Sequence, residues 1–153
     1  MENWGASERP QPIEHWSQLS AQCEKSGDYL GAFDAAYLGL EQHPNARELQ
    51  YRAILNLSRA GASKRAKQLW DSYAVRATLD KRAANANLEE NIAALGARLD
   101  REEALVATAG QRNPKLKQAA RHYQSVYDRT ASTFLGINAA VLYELSGESA
   151  LAK

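Results

Sequence analysis

Apolar residues recur at three- and four-residue intervals through most of the chain, and short turn-forming clusters interrupt them. Trp16 and Leu19 are three apart and Cys23 follows four later, which predicts a first helix over Ile13–Lys25 with these residues on its apolar face. Ser26-Gly27-Asp28 breaks that helix. Ala32 and Ala36 then share one face of a second helix, Tyr29–Gln42, and keep it small where two helix backbones must approach closely. Pro44 closes it, because a proline pushes the residue before it out of the helical region. The pattern then recurs. Leu49, Ala53, Ile54 and Leu57 lie at helical spacing, and Gly61, Ala66 and Trp70 fall thirty-four residues after Gly27, Ala32 and Ala36.

Order loosens beyond this second pair. Val75 to Asn87 carries Arg76, Lys81 and Arg82 with few large apolar groups, as expected of a solvent-side helix extension or a linker. Ile92, Leu95, Leu99 and Leu105 predict a third helix over about Leu88–Ala107, with Gly110–Pro114 as a loop after it. Ala119, Ala120, Tyr123 and Tyr127 mark the buried face of its partner. Phe134–Leu145 reads as one more first helix, Gly147 as its turn, and Ser149–Lys153 as the start of another partner. A first helix without its partner exposes an apolar face, so the expectation is either a piece of a longer protein or pairing with a second copy.

A thirty-four-residue helical pair with these landmarks is the pattern of the tetratricopeptide repeat, a unit that buries its hydrophobic face only by stacking on its neighbours. The fold expected is all-α, a right-handed superhelix of antiparallel helical pairs. A flexible leader would span 1–12 and the repeat domain 13–153, divided into 13–46, 47–80, an expanded 88–130 and a partial 133–153.

Composition narrows the role. The chain has 153 residues, 44% hydrophobic and 24% charged, with a formal charge of +1, which gives no reason to expect a polyanionic partner. A single cysteine, Cys23, excludes an internal disulfide and a cysteine-based zinc site and suits a reducing, cytoplasmic compartment. No apolar run approaches the roughly 18 residues that span a bilayer, and the N-terminus does not read as a signal peptide.

The segments Ala94-Leu95-Gly96-Ala97-Arg98-Leu99, Ala119–Tyr127 and Phe134-Leu135-Gly136-Ile137-Asn138-Ala139-Ala140 carry a more specific likeness. They resemble the tetratricopeptide region of the TRAFs-binding domain, found in apoptosis-signal-regulating kinase kinase kinases and in bacterial multidomain proteins. There an aromatic residue leads into a Gly-Ile-Asn-Ala stretch after an expanded repeat. The resemblance covers about Trp16–Ala152, and it implies a regulatory or scaffolding module beside a separate effector domain, with no catalytic residues.

First helices of such pairs usually face a concave groove. Groove-side candidates are Lys25, Tyr51, Arg52, Leu55, Arg59, Arg101 and Asn138, alongside Ser17, Ala21 and Glu24. Lys25, Arg52, Arg59 and Arg101 would form a basic strip for a carboxylate or an acidic peptide through charge-assisted bonds, the plain alternative being solvated helix-end cations. Ser17, Gln18 and Arg52 stand where chaperone-binding repeats carry lysine and asparagine, which argues against chaperone C-termini as the partner.

His15, His43 and His122 are far apart and read as surface or turn residues, not as metal ligands. Glu89-Glu90, Asp100-Arg101 and Glu102-Glu103 read as solvated helix faces, and no phosphate-binding glycine loop is present. Lys64, Arg65, Lys67, Arg76, Lys81 and Arg82 make one basic region, but its aromatics Trp70 and Tyr73 are core positions, which disfavours nucleic acid. The expectation is a protein-interaction module with a protein or peptide partner, no cofactor, no metal and no catalysis. The alternatives are a homodimerisation module acting through the apolar C-terminal helix, and an enzyme of unrecognised type.

Overall fold

The computed structural model describes residues 9–77 and 86–147. Among them are seven α-helices and no strand: α1 Ile13–Lys25, α2 Tyr29–Gln42, α3 Arg47–Arg59, α4 Ser63–Ala77, α5 Ala86–Leu105, α6 Ala109–Thr130 and α7 Thr133–Leu145. The fold is therefore all-α, built of successive packed helices. The chain divides into two compact units, Met1–Asn56 and Leu57–Lys153. Residues 1–8 of the expected leader, most of the expected linker and Ser149–Lys153 lie outside the described residues.

In the first unit α1 packs on α2 through a three-residue turn. Gly27 takes φ +78°, its N–H donates to the Glu24 carbonyl at 3.0 Å, and Asp28 N–H reaches back to Cys23 at 2.9 Å. This is the paired-bond helix stop that needs a left-handed residue, for which glycine carries no Cβ penalty. Asp28 then caps α2, its Oδ1 accepting from Gly31 N–H at 2.9 Å. The same stop recurs at Gly61, φ +85°, with Ala62 N–H on the Leu57 carbonyl at 2.9 Å.

The α1–α2 contact is made of small groups. Ala32 and Ala36 are fully buried, Ser17 and Ser20 face inward on α1, and Ser20 Oγ donates to the Ala32 carbonyl at 2.8 Å. Leu19, expected on the buried face, is 37% exposed, and Cys23 is only half-buried. The close backbone approach selects the serine-bearing face of α1, and Leu19 sits about 100° round the helix from it.

The second unit holds the larger helices, α5 of 20 residues and α6 of 22. Their apolar cluster joins Ala97 and Ala104 to Leu116, Ala119, Ala120, Tyr123 and Val126, and reaches Leu135, Ala139, Leu142 and Tyr143 of α7. The connection is only residues 106–108. Gly110–Pro114, expected as a loop, is the opening of α6. Pro114 gives up one backbone bond near the helix start, and burial of the following apolar face outweighs that loss. At the end of α6, Ala131 takes the left-handed φ of 53° that glycine occupies elsewhere in the chain.

Candidate interaction surfaces

The groove-side candidates of the first unit are held by local ion pairs. Lys25 ends α1 and is exposed, while Tyr51, Arg52 and Leu55 are half-buried on α3. Arg52 Nη1 lies 3.0 Å from Glu24 Oε1, and its Nε lies 3.3 Å from Glu48 Oε1. Asn56 Nδ2 adds a bond to the same Glu24 oxygen at 2.9 Å. Most of the Arg52 charge is thus compensated within the unit.

In the second unit Arg59 ends α3 on the surface. Arg101 and Asn138, thirty-seven residues apart, are brought together: Arg101 Nη1 donates to Asn138 Oδ1 at 3.3 Å. Asn138 Nδ2 in turn donates to the Phe134 carbonyl at 2.8 Å. Around them the Gly-Ile-Asn-Ala stretch has a packing logic. Leu135 and Ala139 are buried, and a Cβ on Gly136 would come 3.0 Å from the Tyr127 ring.

A polar cluster that sequence reasoning assigned to solvent lies inside this unit. Asp100 is only 5% exposed, not part of a solvated face. Its Oδ1 lies 2.9 Å from Lys67 Nζ and its Oδ2 lies 2.8 Å from His122 Nδ1, so α4 and α6 both bind the α5 carboxylate. His122 is correspondingly half-buried and not a turn residue. Lys67 also meets Asp71 at 2.9 Å and stands 4.9 Å from the centroid of the Trp70 ring. Trp70 presents its edge to His122 at 5.3 Å between centroids and donates Nε1–H to the Ile92 carbonyl at 2.9 Å.

Burial alone would push the Asp100 pKa up, but hydrogen bonds from His122 and Lys67 and their charges outweigh it and hold the carboxyl below its ordinary value. Burial likewise opposes the Lys67 charge, yet Asp71 and Asp100 hold its ammonium above the usual lysine value. The phenol of neighbouring Tyr123 is pushed up by burial. The cluster works as a clamp, a desolvated carboxylate compensated from two adjacent helices. Its sequence signal was the register: Asp100 follows Ile92 and Gly96 at eight and four residues, on the buried face of α5.

Beside the clamp lies a groove of about 840 Å³. Leu99, Leu105 and Val106 give it an apolar side, and Lys64, Gln68 and Asp71 a polar rim. Val106 is 85% exposed and Leu105 45%. Glu102, also lining it, is tied down by Ser63 Oγ at 2.6 Å and Arg98 Nε at 2.9 Å. Two adjacent aliphatic residues at a helix end were the overlooked signal for this surface.

No group of three or more metal-ligating side chains occurs among the described residues, and no helix there is long and apolar enough to cross a membrane. No family model matches the chain, and no curated protein matches it. Among solved structures, the crystal structure of MamA protein is similar over 92% of this chain and 85% of that chain, with 16% identity and a TM-score of 0.44. A likeness of that size carries no inference about role.

Proposed function

We propose that this chain is a protein–protein interaction module that captures a partner peptide or helix without catalysing a reaction. The observation that carries this reading is the groove floored by buried Leu99, where Leu105 and Val106 are left open to solvent beside the exposed Lys64. A peptide with one aliphatic anchor next to an acidic residue matches that chemistry: the anchor covers Leu105 and Val106 while the carboxylate meets Lys64. The groove belongs to a packed helical scaffold, so binding would order little of the host.

Lys25, Tyr51, Arg52 and Leu55 in the first unit, and Arg59, Arg101 and Asn138 in the second, form further contact positions in this proposal. Because Arg52 and Arg101 already have local partners, their contribution is smaller than their charge suggests. The packing of Gly136 against Tyr127 and of Ala139 in the apolar cluster supports a role for the TRAFs-binding-like stretch in holding α7 to α6, while Asn138 ties α7 to Arg101 of α5. The likeness of that stretch to the TRAFs-binding domain implies a regulatory or scaffolding part of a larger cytoplasmic signalling protein.

Selection of a displayed random-peptide library on the purified chain tests the reading. Recovered sequences should pair an aliphatic residue with Asp or Glu, and Val106→Asp should weaken their binding at least about tenfold. Arg59→Glu, in the same unit as the groove, should weaken it less. Failure to enrich any motif, or equal binding by Val106→Asp, would reject the groove.

A further inference from the structure

Helix α4 starts against the usual pattern. Ala62 stands at its cap position, where no side chain can accept a hydrogen bond, and no acidic residue occupies its first turn. Lys64 and Arg65 stand there instead, at the helix end whose dipole disfavours cations. The backbone N–H groups of Ser63, Lys64 and Arg65 have no hydrogen-bond partner among the described residues. Ser58, Ser63 and Lys64 all line the groove that opens at this turn. Ser58 is only 6% exposed, and its Oγ is buried with no partner. Other helical serines of this unit are satisfied: Ser72 and Ser125 each donate to a carbonyl one turn back. A buried hydroxyl without a partner is destabilising, and together with the three N–H groups it calls for an acceptor.

Charge sets the kind of acceptor. Three carboxylates line the groove, and each is held by a cation of this unit: Asp71 by Lys67, Glu102 by Arg98 and Glu103 by Lys115. Glu102 also accepts from the Ser63 hydroxyl at 2.6 Å, but from none of the three N–H groups. Lys64 is exposed and has no carboxylate partner among the described residues. One free ammonium and the roughly half charge of a helix N-terminus balance a monoanion. A phosphate, with nearly two negative charges and Glu102 beside it, would be undercompensated. The groove has room for several peptide residues, so a chain can run through it and present the acid from a side chain.

We propose that the first turn of α4, with the Ser58 hydroxyl and the Lys64 ammonium, is a subsite for one side-chain carboxylate of the partner peptide. The Ser58 hydroxyl and the Ser63 and Lys64 N–H groups donate to the carboxylate, and Lys64 supplies the opposing charge. The assignment rests on the groove's role as a peptide site and deepens it. The acid is an aspartate or glutamate, not a phosphorylated residue, and it is read by donors at the helix end as well as by Lys64.

Nuclear magnetic resonance of the isotope-labelled full chain reads the subsite and the groove separately. The probe is acetyl-leucyl-aspartyl amide, titrated into the millimolar range, with acetyl-leucyl-asparaginyl amide as its uncharged control. The aspartyl probe should move the amide signals of Ser63 and Lys64 and the methyl signals of Leu105 and Val106, whereas the control should move the methyls alone. Ser58→Ala should weaken binding of the aspartyl probe about fivefold while the melting temperature stays the same or rises, because a partnerless buried hydroxyl has been removed. Lys64→Gln, at an exposed position, should weaken it about threefold. Methyl shifts without amide shifts would overturn the subsite and leave the groove standing, and shifts at neither would reject both. Full affinity in Ser58→Ala would also overturn the assignment. So would tighter binding by the phosphoseryl dipeptide or by acetyl-leucine with its free terminal carboxylate.

Discussion

In each unit a tryptophan lies on a helical glycine, yet the two arrangements are secured by different forces. In the first unit a Cβ on Gly39 would stand 2.7 Å from Trp16 Cβ and Cγ and 2.8 Å from Leu49 Cδ1. The Trp16 nitrogen reaches only Gln42, at 3.3 Å on the exposed side. Here close approach of small residues holds the pair. In the second unit a Cβ on Gly96 would stand 2.3 Å from the six-membered ring of Trp70. That indole is fixed by the Ile92 carbonyl and borders the Lys67–Asp100–His122 cluster. Packing and electrostatics are therefore coupled in the second unit and separable in the first.

The sharpest way to break this contrast is to fill both glycines. Helix propensity alone would make Gly→Ala stabilising by about 1 kcal/mol, so the sign of the change is informative. Gly96→Ala should destabilise by about 3 kcal/mol, because the indole must leave its hydrogen bond and its cationic neighbour. Gly39→Ala should cost about 2 kcal/mol, since the groups it meets are shed from water but not bonded. Denaturant titration measures both, and a gain in stability at either site would contradict the packing described.

Asp100→Asn separates the two units by charge. It should cost about 2 kcal/mol at pH 7, less than the loss of one partner from a fully buried pair because Lys67 keeps Asp71 and is partly exposed. The folded-state pKa of Asp100 lies below its ordinary 3.8, so its stabilisation is complete well above pH 3.8 and is lost as the pH falls through the lower folded value. Wild type and variant should converge in strong acid. Lys67 has the opposite sense, with stabilisation present below 10.5 and lost as pH rises through its higher folded value. Thermal melts across these windows provide the check. A gap that persists unchanged once the carboxyl is protonated in strong acid would mean that the carboxylate charge is not what matters.

The smallest expected effect concerns the helix stops. Gly27, Gly61 and Gly147 adopt positive φ, but Ala131 does so with a side chain. Ala131→Gly should stabilise by about 0.5 kcal/mol, the relief of left-handed strain offset by a freer unfolded chain. A melting temperature that falls would show that the alanine is not strained.

Much of the local structure was legible from residue types. The bounds of α1 and α2 follow from the apolar period and from Gly27, Asp28 and Pro44, because turns and caps are decided by neighbouring atoms. The extent of α6 was not, since Pro114 signals a break that the buried face beyond it overrides. Leu19 was misplaced for a related reason: hydrophobicity alone does not say which face of a helix meets a close neighbour. Of the candidate contact residues, the pairing of Arg101 with Asn138 and of Arg52 with Glu24 joins positions far apart in sequence.

By itself, then, the sequence determined an all-α chain of helical pairs, the glycine stops, and the small-residue faces of α2, since each rests on interactions a few residues long. Tertiary structure alone decided that Asp100 is buried between Lys67 and His122. It also left Leu105 and Val106 open and turned Phe134, Ile137, Val141 and Leu145 to the outside. Those outcomes depend on which helix face a neighbour covers, and burial of a charge or exposure of an aliphatic stripe is a property of the assembled helices.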